Sequence, residues 1–334
     1  MPREDFAPRV VTSPAAASSP SSETGGTPAS AGAAAAPHSL DYFGDSRNSW
    51  WNDDFIALMA QRLGWAKRRR VLEVGCGAGH WTRTIAPHLA AGTTIAAVDR
   101  DPAWSDADAV WAKQLTERGI AVTVHPGDVA ALPFPDGAFD FVTCQTVLIH
   151  VADPLRALRE MLRVLEPGGL LLCVEPDNFG TWSAQTSLSG TRSVAAESAR
   201  FTFALTQQRG RAALGLGNLS LGGILPQLFA EAGATQVRTF LADKVIPFVP
   251  PYASREQRAL IADIERWFTS GREFTAEHAR RLFLAGGGAA EEFEALWQTE
   301  LAARAAYREA IRQRTYAAAH GPLIYLVSGE RAGG

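Results

Sequence analysis

A chain of 334 residues, 46% hydrophobic and 20% charged, has the make-up of an ordinary folded protein with room for one large or two small domains. Its net charge of −3 offers no general attraction to nucleic acid or an anionic membrane, so neither is expected as a partner. No apolar run reaches the ~18 residues that span a bilayer, and the first 37 residues lack the apolar core of a signal peptide, so a cytoplasmic location is expected.

Residues 1–37 are rich in Ala, Ser, Pro, Thr and Gly, cannot bury enough apolar surface to offset chain entropy, and are expected to be disordered. Order is expected from residue 38. The segment 39–52 mixes polar residues with Tyr42, Phe43, Trp50 and Trp51. Asn52 can cap a helix running to Leu63, with Phe55, Ile56, Met59 and Leu63 on one face. The aromatics either pin that helix onto a sheet or cover a ligand and wall its pocket, and the two roles are compatible.

Strands are predicted at 70–75, 94–99, 120–125, 139–144 and 169–175, and helices at 79–90, 103–118 and 153–165. Asp153 and Pro154 suit the start of the last helix, and Pro167-Gly168-Gly169 suits its end. Such alternation predicts a parallel sheet with helices on both faces. Right-handed crossovers would then bring Gly75, Asp99, Asp128, Gln145 and Glu175 to one edge. After Glu175 the rhythm breaks. Residues 179–220 read as loop and helix, with Phe179, Trp182, Phe201 and Phe203 among polar residues and a hinge at 215–217. A helix at 223–233 and a strand at 235–246 return to the sheet, 252–318 is a long helical stretch, and 323–327 supplies a last strand. Cys76, Cys144 and Cys173 lie on or beside predicted strands without metal-ligand spacing, and no H-x-x-x-H or clustered acid pattern indicates a metal.

One stretch organises the rest. Val71-Leu72-Glu73-Val74 runs into glycines at 75, 77 and 79, and a helix follows. Strand, glycine turn and helix N-terminus make a site where backbone N–H groups face a ligand at close range. The dinucleotide fingerprint G-x-G-x-x-G needs glycine at 80, where this chain has His80, so the pattern is E-x-G-x-G-x-G. Asp99 ends the next apolar run, and Gly127-Asp128-Val129, the segment from Leu132 to Asp140, and Leu165-Glu166-Pro167-Gly168-Gly169 follow. In combination these motifs resemble class I S-adenosylmethionine (SAM) dependent methyltransferases of the ubiquinone/menaquinone type, over residues 70–178, roughly a third of the chain.

The resemblance implies an α/β, Rossmann-like, doubly wound fold, its seven-stranded sheet mostly parallel with the last strand antiparallel, and helical cap insertions. The organisation is then a tail at 1–37, a SAM-binding core at 38–178 with its N-terminal helical cover, a cap or lid at 179–220, a return to the sheet at 221–250, a helical insertion at 251–320, and a last strand and tail at 321–334. It also implies roles. Glu73 and the backbone at Gly75, Cys76, Gly77 and Gly79 would hold the amino-acid end of SAM, Asp99 the ribose, and Arg100 would lie beside the adenine, which Asp128 and Val129 would bind. Gln145 would sit where the reactive methyl lies. His150 could act as a general base or only line the pocket. His80 and Trp81 are expected to shape the cofactor pocket. Tyr42, Trp50, Trp182 and Phe203 are expected against a small-molecule acceptor, apolar or ring-containing, although the insertions could instead serve homo-oligomerisation. The function expected is methyl transfer in small-molecule metabolism. The alternatives are a non-methylating reaction on the same fold, such as a cyclisation or elimination, and a non-enzymatic SAM-binding protein.

Overall fold

A computed structural model of the chain describes Arg47 and residues 50–104, 110–182, 185–269 and 275–333. The expected tail and Tyr42 lie outside the described residues. Helix α1 (Asp53–Leu63) buries Phe55, Ile56, Met59 and Leu63, carries Asp53 and Asp54 in its first turn, and is closed by Gly64 in the left-handed region. Asn52 stands at the N-cap without capping through its side chain; its amide donates to Asp243 Oδ1 instead, at 3.1 Å.

The core then alternates through β1 (Arg70–Val74), α2 (His80–Ile85), β2 (Thr94–Asp99), α3 (Val110–Thr116), β3 (Ala121–Pro126), β4 (Phe139–Gln145), α4 (Pro154–Val164) and β5 (Leu165–Pro176). Asp153 caps α4 by accepting from the Arg156 N–H at 2.9 Å, and Pro154 occupies the first turn. Beyond the core come α5 (Asn178–Trp182), α6 (Val194–Ala213), α7 (Leu225–Ala232), β6 (Ala234–Leu241), β7 (Ile246–Phe248), α8 (Arg255–Thr269), α9 (Ala276–Ala285), α10 (Phe293–Arg312), β8 (Ala318–His320) and β9 (Ile324–Arg331). Seven strands pair in the order β3-β2-β1-β4-β5-β9-β6. The first five are parallel, and β9 lies antiparallel between β5 and β6. This is the Rossmann-like sheet with a reversed last strand that the resemblance implies. Alternate residues face opposite layers: Val71, Phe141 and Leu172 pack with Met59 and Trp81, whereas Leu72, Val142 and Leu171 pack with Leu158 and Phe229. Burial on both faces is why these strands read as unbroken apolar runs.

Several boundaries differ from expectation. Helix α2 is short because Pro87 turns the chain into a 3-10 turn at Ala86–His88. Pro167-Gly168-Gly169 lies inside β5 instead of ending α4. The strand starts at Leu165 with a register shift opposite Phe139 and Phe141, and the Arg331 guanidinium holds the carbonyls of Arg163 and Leu165. The strand expected at 235–246 splits. β6 stops at Leu241, and β7 leaves the sheet to pair with β8 in a separate two-stranded ribbon. The long helical stretch is three helices enclosing two clusters, one around Phe248, Tyr252, Leu260 and Tyr316, the other around Phe203, Phe283, Phe293 and Trp297. Among the described residues no helix is long and apolar enough to cross a membrane.

Candidate cofactor and acceptor site

The C-terminal edge of β1, β2, β4 and β5 carries the site. At the end of β1 the N–H groups of Gly75 and Cys76 both donate to the Val98 carbonyl, at 2.7 and 3.0 Å, tying the glycine turn to β2. Gly75 and Gly79 have φ of +69°, and a Cβ at either would overlap Val147 or the Trp111 ring. The glycines are therefore demanded by the turn and by the protein's own packing, before any ligand is considered. Gly77 points its N–H at Asp99 Oδ2, 2.9 Å away, while Asp99 Oδ1 accepts from the Asp101 N–H at 2.9 Å. The Asp99 carbonyl in turn accepts from Gly127 N–H at 3.0 Å, bringing the 127–129 loop alongside. There Asp128 is exposed and accepts from the Ala130 N–H at 2.8 Å, Val129 is buried, and Arg100 is exposed. A cavity of about 450 Å³ opens beside the turn, walled by Gly77, Ala78, Arg83, Trp104, Trp111 and Gln114.

Glu73 is 1% exposed beneath the turn. Burial, then the nearby Asp99 charge, push its carboxyl well above the usual range, opposed by Arg83 and the Thr82 backbone N–H. Its Oε2 has no hydrogen-bond partner among the described residues. A buried acid with an unused oxygen, near a second acid, suits an ammonium group. Cys76 is buried, and its thiol is pushed up by burial.

At the end of β4 a polar cluster converges. Thr146 has φ of +54°, an unusual conformation for a β-branched residue and one that costs energy. His80 Nε2 lies 2.9 Å from the Arg47 carbonyl and Nδ1 lies 3.3 Å from the Gln145 side chain. A carbonyl only accepts, so Nε2 carries the ring proton; burial, then the Arg47 charge, lower the His80 pKa to about 4, so the ring is neutral and Nδ1 can only accept. Gln145 stands beside this nitrogen, and its NH2 is buried without a hydrogen-bond partner among the described residues. The Arg47 guanidinium reaches Thr146 Oγ1 at 3.5 Å and lies over the Trp50 ring at 4.8 Å; burial lowers its pKa to about 10, against the opposing charge of Asp263 on α8. Trp50 also meets His80 edge-on, with centroids 6.5 Å apart.

Glu175 at the end of β5 is wholly buried. Its Oε1 accepts from the N–H groups of Val147 and Leu148 at 3.0 and 2.8 Å, holding the turn that leads to His150. Burial raises its pKa to about 7, opposed by those N–H bonds. His150 itself is half-buried, and a Cβ at Gly217 would overlap the Ile149 and His150 backbone, so the 215–217 loop sits tightly against this turn. Trp81 is buried, its indole N–H donating to Thr143 Oγ1 at 2.9 Å, and so fastens α2 to β4 instead of lining a pocket. Phe203, expected against the acceptor, is 1% exposed inside the α6–α9–α10 cluster. Its place on the buried face of an amphipathic helix is the physical reason it does not line a pocket. Trp182 ends α5, and its side chain lies outside the described residues.

The structure thus brings together Glu73, the glycine turn, His80, Asp99, Gln145, Thr146 and Trp50, and adds Arg47. Asp263 was hidden in the sequence because only folding carries α8 back to residue 47. Among the described residues no group of three His, Cys, Asp or Glu could hold a metal.

Comparison with known proteins agrees with this geometry. The family described as a methyltransferase domain matches residues 72–173. An uncharacterised 37.1 kDa protein in transposon TN4556 of Streptomyces fradiae is 32% identical over 143 residues, 43% of this chain and 40% of that protein. A demethylmenaquinone methyltransferase of Bacillus licheniformis is 38% identical over 133 residues, 39% of this chain and 54% of that protein. The chain thus spans about half, or less, of the length of these relatives. Among solved structures, a Haemonchus contortus phosphoethanolamine N-methyltransferase in complex with SAM is 15% identical, with a TM-score of 0.42 over 84% of this chain and 53% of that one. The strand order and the strand-end residues, more than any overall superposition, define the fold. The core of this chain is a class I SAM-dependent methyltransferase domain, and SAM is its cofactor.

Proposed function

We propose that the whole chain transfers the methyl group of SAM to a small or medium-sized acceptor carrying a ring, within the cytoplasm and without a metal. The observation that carries this reading is the buried Glu73 carboxylate, one oxygen unused, beneath a glycine turn clasped by Asp99. When bound, SAM supplies a sulfonium methyl that the acceptor's nucleophile attacks in line, with S-adenosylhomocysteine leaving as the neutral thioether, so the protein's task is positioning. Glu73 would take the ammonium group, the remaining lone pairs of Asp99 the ribose hydroxyls, and the Asp128 loop the adenine. Gln145, held beside His80, would stand next to the transfer region. His80 is not assigned as the base, because Nε2 is engaged with the Arg47 carbonyl and burial, then the Arg47 charge, disfavour its protonated form. The name of the Bacillus licheniformis relative, a demethylmenaquinone methyltransferase, supports a ring-bearing acceptor. Incubation with methyl-labelled SAM and a panel of ring-bearing phenols, acids and amines, read by mass spectrometry, tests it. The expected result is a labelled, methylated product and S-adenosylhomocysteine. SAM binding with no methylated product from any acceptor class would sink the proposal.

A further inference from the structure

Outside the cofactor edge the chain builds a second cavity of about 320 Å³ among the segment after β5, α6, α8 and α10. Its polar wall is one continuous network. Arg192 pairs with Glu197 at 2.8 Å, Glu197 with Arg200 at 3.4 Å, Arg200 with Glu300 at 3.2 Å, and Glu300 with Arg304 at 2.8 Å. Each carboxylate is thus shared by two guanidiniums, and the series begins and ends on arginine. Arg192 commits only Nη1 to Glu197, and the carboxylate side chains, acceptors alone, are already engaged. The lining also carries aromatic rings. Phe268 meets Tyr307 edge-to-face at 6.4 Å, and Tyr307 meets Tyr316 in the same way at 4.7 Å.

Two features of the chain carry elements of the cavity wall toward the reacting edge. Thr181 and Thr186 on its wall follow within a few residues of the end of β5. On α8, Trp267 on the cavity wall lies one turn beyond Asp263, whose charge acts on Arg47, and residues four apart share a helix face. Resting on the methyltransferase reading, we infer that this cavity is the acceptor site and that its ligand is a planar aromatic acid of one or two rings. The aromatic wall would take the ring, and the Arg192 end of the network would take a carboxylate through charge-assisted, planar hydrogen bonds. A ligand cation would meet guanidiniums at both ends of the network and find both carboxylates occupied. The volume sits at the lower end of the ~300–1,000 Å³ typical of small-molecule sites, which limits the acceptor to that size.

Calorimetry on the full chain, with S-adenosylhomocysteine present, distinguishes the possibilities using 1-hydroxy-2-naphthoate, 1-naphthol and 1-naphthylmethylammonium as probes. The acid should bind about tenfold or more tighter than the alcohol, the scale of one charge-assisted hydrogen bond, and the ammonium weakest. In R192M the acid should fall to the affinity of the alcohol while S-adenosylhomocysteine binding stays unchanged. In Y307L, which leaves the charges intact, both acid and alcohol should weaken together. An alcohol or ammonium that binds as tightly as the acid overturns the assignment, as does an acid preference that survives R192M. If SAM and S-adenosylhomocysteine themselves do not bind, the methyltransferase reading has failed; if they bind and the acid preference is missing, only the cavity assignment has.

Discussion

Asp99 already accepts two backbone N–H groups, yet a carboxylate offers about four lone-pair sites. It can therefore clasp the glycine turn and still take ribose hydroxyls. Asp99→Ala should weaken SAM binding by about 1–3 kcal/mol, and Asp99→Asn by less, since it keeps one acceptor; an alanine variant that binds as wild type would place the ribose elsewhere. Glu175 makes a second prediction. Its folded pKa of about 7 stands above the usual 4.5, so between those values the folded state holds a proton that the unfolded state has lost. Its contribution to stability is therefore present at low pH and declines as pH rises through 7. His80 has the opposite sign, its folded value near 4 withdrawing stability as pH falls below 6.5. Because Glu175→Gln leaves His80 untouched, the difference between variant and wild-type unfolding free energies isolates Glu175. That difference should move in the variant's favour by about 3 kcal/mol at most between pH 4.5 and 7, and a flat difference in urea titrations would contradict it. At this scale the apolar runs placed Glu73 and Asp99 at strand ends, where the structure has them, while their roles came from the resemblance alone. The sequence did not disclose Arg47 with Asp263, or Glu175 as the anchor of the 147–149 turn, because those partners meet only through tertiary packing.

Among the elements, the legible ones were those with a strong period and clear punctuation. α1 and α4 and the first five strands were marked by apolar runs, caps and glycines. The cap was recognised as helical but its faces were not, since Phe203 among polar residues could look inward or outward until α9 and α10 were placed. α6 crosses α9 so closely that a Cβ at Gly210 would overlap the Leu282 carbonyl, and one at Gly286 the Thr206 carbonyl. These are backbone atoms that cannot swing aside. Gly210→Ala should then force the helices apart at a cost of about 1–3 kcal/mol, and Phe203→Ala should cost about 3–5 kcal/mol by emptying the centre of the same cluster. Both variants should lower the melting temperature and acceptor turnover while leaving SAM affinity nearly unchanged, because the cofactor edge is built from other elements. Loss of SAM affinity in step with stability would show that cap and core unfold as one unit.

For the molecule as a whole, the alternation of strands and helices was enough to foresee a parallel sheet and the edge where its functional residues meet, because crossover handedness leaves little choice. The same logic bounds what the N-terminal region contributes. The apolar clusters of the described residues begin at Trp51, which stacks on Phe55 with centroids 6.3 Å apart and touches Trp81 at 5.4 Å. Just before it, the Arg47 carbonyl fixes the His80 proton and Trp50 meets the His80 ring. Deleting residues 1–36 removes none of these groups, and their composition offers no core to lose. That truncation should leave melting temperature and SAM affinity as in the full chain. Extending the deletion to residue 51 removes a buried tryptophan, worth about 3–5 kcal/mol, and frees His80 to take up a proton near its ordinary pKa. The longer truncation should therefore melt lower, and SAM binding should acquire a pH dependence between about 5 and 7 that the full chain lacks. If the short truncation already destabilises the protein, the N-terminal region has a partner on the folded body. If the long one binds SAM with the same affinity at every pH, Arg47 does not set the state of His80.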